Sequence, residues 1–149
     1  MTRPQDLAAE IERVSDALEA MMPTRHVVSL ALYGPVPRDR EVFELVRDLY
    51  RAHGPAGTAE SVAAPEDPQV LLAQIRSWYG VSDIGEAAGR AEAEFLAQYA
   101  VELIAETLGP TRSVHPVEFR PNGWYAAVWA ERLLLTEEWA AIISLTGDS

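Results

Sequence analysis

Apolar residues recur along the chain with two periods, and the switches between them mark out the elements. Leu7, Ile11, Val14, Leu18 and Met21 follow one another at spacings of four and three, the single apolar stripe of a helix. Glu10, Glu12, Arg13, Asp16 and Glu19 fill its other faces, and Pro23 stops it. From His26 to Tyr33 the chain is apolar nearly throughout, which predicts a strand covered on both faces, ended by Gly34-Pro35-Val36-Pro37. A second helix follows, with Asp39 as its expected N-cap and Val42, Leu45, Val46 and Leu49 as its stripe. Residues 54–67 have no periodicity and a Gly/Pro/Ala bias. They are expected to form one long mobile loop, since they hold no aromatic and no histidine.

The third helix has a strong start. Asp67 can cap it, and Pro68 fits a first turn where the missing N–H costs nothing. Leu71, Leu72, Ile75 and Trp78 should face the core, and Gly80 should end the helix as a left-handed cap. Ser82 or Asp83 then opens a fourth helix running to about Leu108, with Ala88, Ala91, Phe95, Tyr99, Leu103 and Ile104 as its expected buried stripe. Gly85 and Gly89, four apart, are expected to allow close packing on the sheet, and Gly109-Pro110 ends the helix.

The last third reads as an antiparallel meander: strands at about Ser113–Phe119, Trp124–Leu135 and Trp139–Leu145. Pro121-Asn122-Gly123 is the first turn and Thr136-Glu137-Glu138 the second. Pro116 cannot donate to a ladder, so its strand is expected at an edge or with a bulge. The run Trp139–Leu145 is nearly all apolar and should be interior. The expected fold is therefore α+β in a single domain over residues 1–149: a four-stranded, mainly antiparallel sheet, order second-third-fourth-first, packed with about four helices. Both faces of this sheet read as apolar. Four helices are not expected to cover both, so part of one face is expected to be closed by a second copy or another chain.

Composition narrows the chemistry. The chain has no cysteine, which removes disulfides, thiol nucleophiles and thiolate metal sites. It has no lysine either, all twelve basic residues being arginine. That excludes Schiff-base chemistry and a P-loop lysine, and it fits codon bias in a high-GC, bacterial genome. Net charge is −11, which disfavours nucleic acid and anionic membrane as partners and favours fast association with a basic one. The first residues are too polar for a signal peptide, and no window approaches a membrane span, so a cytoplasmic location is the default.

No metal spacing links His26, His53 and His115, and no metal or cofactor is expected. No nucleophile elbow, dinucleotide loop or Walker motif is present. The weak catalytic candidates are His115, His26 and Glu131. His115 alternates with Val117 and Phe119 and so shares their apolar face, where Glu118 or Glu131 could tune it. The simpler reading, a structural histidine with a backbone hydrogen bond, is preferred. Glu131 lies inside an apolar run, on the face of Tyr125, Ala127, Trp129 and Leu133. Burial there would raise its pKa, but a strand end emerging into solvent, or a bulge, is preferred. Trp124, Tyr125 and Trp129 are the binding candidates, since Trp and Tyr dominate interface hot spots. Of the four tryptophans at least two are expected in the core. These features favour an acidic cytoplasmic protein-binding module, such as an immunity-type antitoxin or an inhibitor of a basic partner. The alternative is a small enzyme or ligand-binding domain with a pocket between sheet and helices.

Overall fold

The computed structural model describes residues 1–22 and 27–148, so Pro23, expected to stop the first helix, and the candidate His26 lie outside the described residues. The elements run α1 (Leu7–Ala20), β1 (Val28–Pro37), α2 (Val42–His53), β2 (Gly57–Val62), α3 (Val70–Trp78), α4 (Ala87–Leu108), β3 (Ser113–Pro121), β4 (Val128–Leu135) and β5 (Trp139–Gly147). The fold is α+β, with four helices and one antiparallel sheet ordered β1-β5-β4-β3-β2.

The neighbours expected of four strands are all present, but the sheet has five. The extra strand, β2, occupies the segment expected to be a mobile loop. It pairs with β3 from Gly57 opposite Pro121 to Val62 opposite Val117. Hydrophobic pattern does not reveal it because an edge strand needs little apolar surface; only Ala59 within it is buried. Its presence also places β3 in the interior, where Pro116 was not expected. The carbonyl of Pro116 accepts from Ala63 N–H at 2.9 Å, so its donorless nitrogen faces the side on which β2 is just ending.

Both faces of the sheet are covered by the chain's own helices, against expectation. On one face Leu7, Ile11, Val14 and Leu18 of α1, Leu71 and Ile75 of α3, and Leu103, Ile104 and Leu108 of α4 pack on Leu30, Leu134, Ile143 and Leu145. On the other, Leu45, Val46, Leu49 and Tyr50 of α2 pack on Val117, Phe119, Leu133, Leu135, Ala140 and Ile142. Each such buried aliphatic side chain contributes about 1.5–3 kcal/mol. Trp78 pins α3 to the sheet, its indole N–H donating to the Thr146 carbonyl at 2.7 Å. Inside the α1 face, the Ser15 hydroxyl accepts from Leu30 N–H at 3.0 Å and meets the Tyr79 hydroxyl at 2.7 Å.

Local details differ where side-chain chemistry competes. α2 is capped by Glu41, not Asp39: the Glu41 carboxylate accepts from Phe43 N–H at 3.0 Å and Glu44 N–H at 3.1 Å, while Asp39 pairs with Arg40. Asp67 accepts from Gln69 N–H at 2.9 Å in the turn leading into α3, and Gly80 takes φ 60° after it. α4 begins at Ala87, after a single 3-10 turn at Val81–Asp83. Its buried face is Ala93, Ala97, Ala100, Leu103, Ile104 and Leu108, and Phe95 and Tyr99 point outward. Small residues let α4 approach α1 closely, and that packing wins over the size of the two aromatics. Gly85 and Gly89 do not support packing on the sheet: a Cβ on Gly85 would meet nothing within 4 Å, and one on Gly89 would meet Ile84.

Candidate functional site

β3 and β4 are hydrogen-bonded neighbours only from Ser113 opposite Leu135 to Val117 opposite Glu131. Beyond that point β3 continues against β2 as far as Pro121, and β4 reaches back against β5 to Val128. The sheet therefore forks. Pro121-Asn122-Gly123 does not close a tight hairpin, and the third predicted strand begins at Val128, not at Trp124. Asn122 N–H donates instead to the Ala56 carbonyl at 3.0 Å, which ties the loop to the start of β2. A cleft of about 380 Å3 lies in the fork, lined among others by Glu118, Phe119, Trp129 and Glu131.

Tyr125, in the connecting loop, fills one side of the fork. Its ring meets Phe119 of β3 edge-on at 5.9 Å and Trp129 of β4 at 5.8 Å. Phe119 in turn stacks on Tyr50 of α2 at 4.2 Å. Beneath these rings lies Glu131, only 3% exposed. The expectation that it emerges into solvent fails, because Tyr125 and α2 close over this end of the strand.

Glu131 is held by hydroxyls alone. Tyr50 donates to its Oε1 at 3.0 Å, and Ser144 of β5 donates to Oε2. The Tyr125 hydroxyl lies 3.3 Å from Oε1, 2.6 Å from the Ser144 hydroxyl and 2.8 Å from that of Tyr33. One ordering satisfies every group: Tyr33 donates to Tyr125, Tyr125 to Ser144, and Ser144 to the carboxylate. Burial pushes the Glu131 carboxyl up to about 7, against the lowering effect of these hydrogen bonds. Burial first, and then the negative charge of Glu131, raise Tyr50 and Tyr125 well above the usual phenol range, and burial raises Tyr33. All three phenols therefore remain protonated donors at neutral pH.

His115 is not part of this network. Its Nδ1 lies 3.0 Å from the Ala63 carbonyl and its Nε2 2.9 Å from the Ser113 hydroxyl. Among the described residues no histidine contacts Glu131 through a hydrogen bond or ion pair. Nor does any group of three or more His, Asp and Glu side chains stand ready to hold a metal ion there. No described helix is long and apolar enough to cross a membrane.

The binding candidates divide. Trp124 is 83% exposed and Trp129 37%, whereas Tyr125 is half-buried in the plug just described. Trp78 and Trp139 pack against the core. Along the rim of the fork Glu118 accepts from the Ser61 hydroxyl at 3.0 Å, and Glu60 pairs with Arg120 at 2.8 Å. Arg132, at the cleft's other wall, is taken up by Glu66 at 3.0 Å and by Gln74.

Sequence reasoning missed Tyr50 and Ser144, which reach Glu131 directly, and Tyr33, which joins the network through Tyr125. It also missed a larger cleft of about 730 Å3 between α2 and β2, lined among others by Arg47, Arg51, Tyr50 and Asn122. The i, i+4 spacing of the two arginines was its one legible signal. No protein-family model, curated protein or solved structure matches this chain.

Proposed function

We propose that this chain is a protein-binding module that engages a basic partner through the forked end of its sheet. The observation that carries this reading is the exposure of Trp124, in the loop between β3 and β4, and of Trp129, at the start of β4, at one end of a sheet whose two faces are otherwise covered by helices. Large rings left in water at one end of a fold are characteristic of binding anchors. Tyr125 holds Trp129 edge-on and so limits the ordering cost of binding. Glu118 on the rim and a net charge of −11 give the encounter its sign. An inhibitor or immunity-type antitoxin acting in the cytoplasm is the form of this reading that suits a small acidic domain.

The test is affinity capture from source cells with the wild-type chain and with a Trp124→Ala/Trp129→Ala variant in parallel. A basic protein retained by the first and lost from the second supports the proposal. Identical retention by both removes the tryptophans from it.

One observation favours a second reading, a small enzyme or ligand-binding domain. Glu131 titrates near neutrality inside a hydroxyl network beside a cleft, as a general acid or base would. Under that reading Glu131→Gln abolishes a turnover that the tryptophan variants retain.

A further inference from the structure

The outer face of α4 carries a stripe that neither core uses. Glu92, Phe95, Tyr99, Glu102 and Glu106 follow one another at spacings of three and four, and so lie along one side of the helix. Phe95 is 66% exposed and Tyr99 38%, and their rings stack at 6.2 Å with 13° between planes. The aromatic pair sits mid-stripe with carboxylates at both ends.

A groove of about 540 Å3 continues this stripe toward the start of α1. Asp6, Glu10 and Arg13 line it on one side, and Tyr99, Leu103 and Glu106 on the other. Arg13 is already paired with Glu10. Among the described residues no cation pairs with Asp6, Glu92, Glu102 or Glu106; Glu102 only accepts from the Gln98 amide at 3.1 Å. The patch is thus apolar at its centre and negatively charged around it.

We infer that this α1–α4 face is a second docking surface, and that its occupant is an amphipathic segment of a partner protein bearing arginine or lysine around one or two apolar side chains. Charge selects that occupant. A second copy meeting this face across a two-fold axis would set the carboxylates of Glu92, Glu102 and Glu106 against those of the other copy. The same carboxylates repel phosphate backbones and anionic lipid. Stacked rings supply the apolar contact and cation–π partners for an arginine. This surface lies on the opposite side of the sheet from α2 and holds whether or not the tryptophan end binds anything.

The experiment uses the full chain, 15N-labelled, and a synthetic amphipathic helix with arginines flanking two leucines as probe. Amide shifts should change along Glu92–Glu106 and Asp6–Arg13. Affinity should fall about tenfold in Phe95→Ala/Tyr99→Ala, as for truncated hot-spot aromatics. A probe with glutamate in place of arginine should not bind. Equal affinity for wild type and Phe95→Ala/Tyr99→Ala would reduce the surface to unspecific charge attraction and overturn the inference. So would shifts centred on Trp124–Trp129, no binding at all, or a dimer in light scattering that the Phe95→Ala/Tyr99→Ala variant abolishes. Both rings are exposed, so the variant should unfold at the wild-type temperature, which separates lost binding from lost fold.

Discussion

The Tyr125 hydroxyl lies 3.3 Å from Oε1 of Glu131, although Tyr125 stands in a loop and Glu131 in the middle of the sheet. The loop between β3 and β4 folds back so that a phenol, and no neighbouring strand, occupies the opening of the fork. The same ring meets Trp129 edge-on, so the half-exposed tryptophan and the buried carboxylate share one support.

That burial gives stability a pH dependence traceable to one residue. Burial raises the Glu131 carboxyl from an ordinary 4.5 to about 7, so between these values the folded chain binds a proton that the unfolded chain has released. The contribution of Glu131 is therefore fully present below about pH 4.5 and is lost as pH rises through about 7. Its size is at most about 3 kcal/mol. Glu131→Gln should keep most of the hydroxyl contacts and remove this dependence. Denaturant titrations from pH 5 to 8.5 should show the variant gaining on wild type as pH rises. A constant difference between the two would mean that Glu131 titrates normally.

Ser15 makes a second buried polar contact with a sharper expected cost. Its hydroxyl serves both Leu30 N–H and the Tyr79 hydroxyl, and burial pushes the Tyr79 phenol up to about 12. Ser15→Ala removes the partner that Leu30 N–H and the Tyr79 hydroxyl share, leaving them only their contact with each other, and should cost about 1–3 kcal/mol. Tyr79→Phe removes one partner but leaves Ser15 bonded to Leu30, and should cost about 1 kcal/mol. Chemical denaturation of the two variants checks the order.

β2 should behave as a strand. Amides within Thr58–Val62 that face β3 should exchange slowly, and limited proteolysis should spare the segment. Gly57→Ala should be disruptive, since a Cβ there would lie 2.4 Å from the Arg120 carbonyl and 2.5 Å from Phe119. A loss of about 2 kcal/mol or more is expected, with the fork loosened around Phe119. Uniformly fast exchange across the segment would contradict the five-stranded sheet.

What the sequence discloses tracks how much apolar surface each element buries. Leu133–Leu135 and Trp139–Leu145 lie in central strands, and their nearly unbroken apolar runs make those strands readable. β2 buries Ala59 alone and leaves no pattern. In α4 the large residues mark the wrong face, because alanines at Ala93, Ala97 and Ala100 carry the close packing while Phe95 and Tyr99 stay in water. Alternation puts Glu131 on the face of Trp129 and Leu133, as the register with β5 bears out. Its partners come from α2, β5 and the loop before β4, with Tyr33 of β1 one bond further off, and nothing local in the sequence links residues 33, 50 and 144 to residue 131.

The tryptophans should report their positions without any partner. Acrylamide should quench Trp124 and Trp129 readily and reach Trp78 and Trp139 poorly, as single-tryptophan-to-phenylalanine variants would resolve. Replacing Trp124 should change stability by less than about 0.5 kcal/mol, because the ring is exposed.

The most direct test of the forked end as a binding surface is a fluorescence titration with the purified partner recovered by affinity capture. Wild-type emission should shift on binding, affinity should fall as salt rises, and Trp124→Ala/Trp129→Ala should weaken binding by at least about 2 kcal/mol while remaining folded. Wild-type affinity in that variant, or affinity indifferent to salt, would contradict a binding surface built from the exposed tryptophans and Glu118 on an acidic chain.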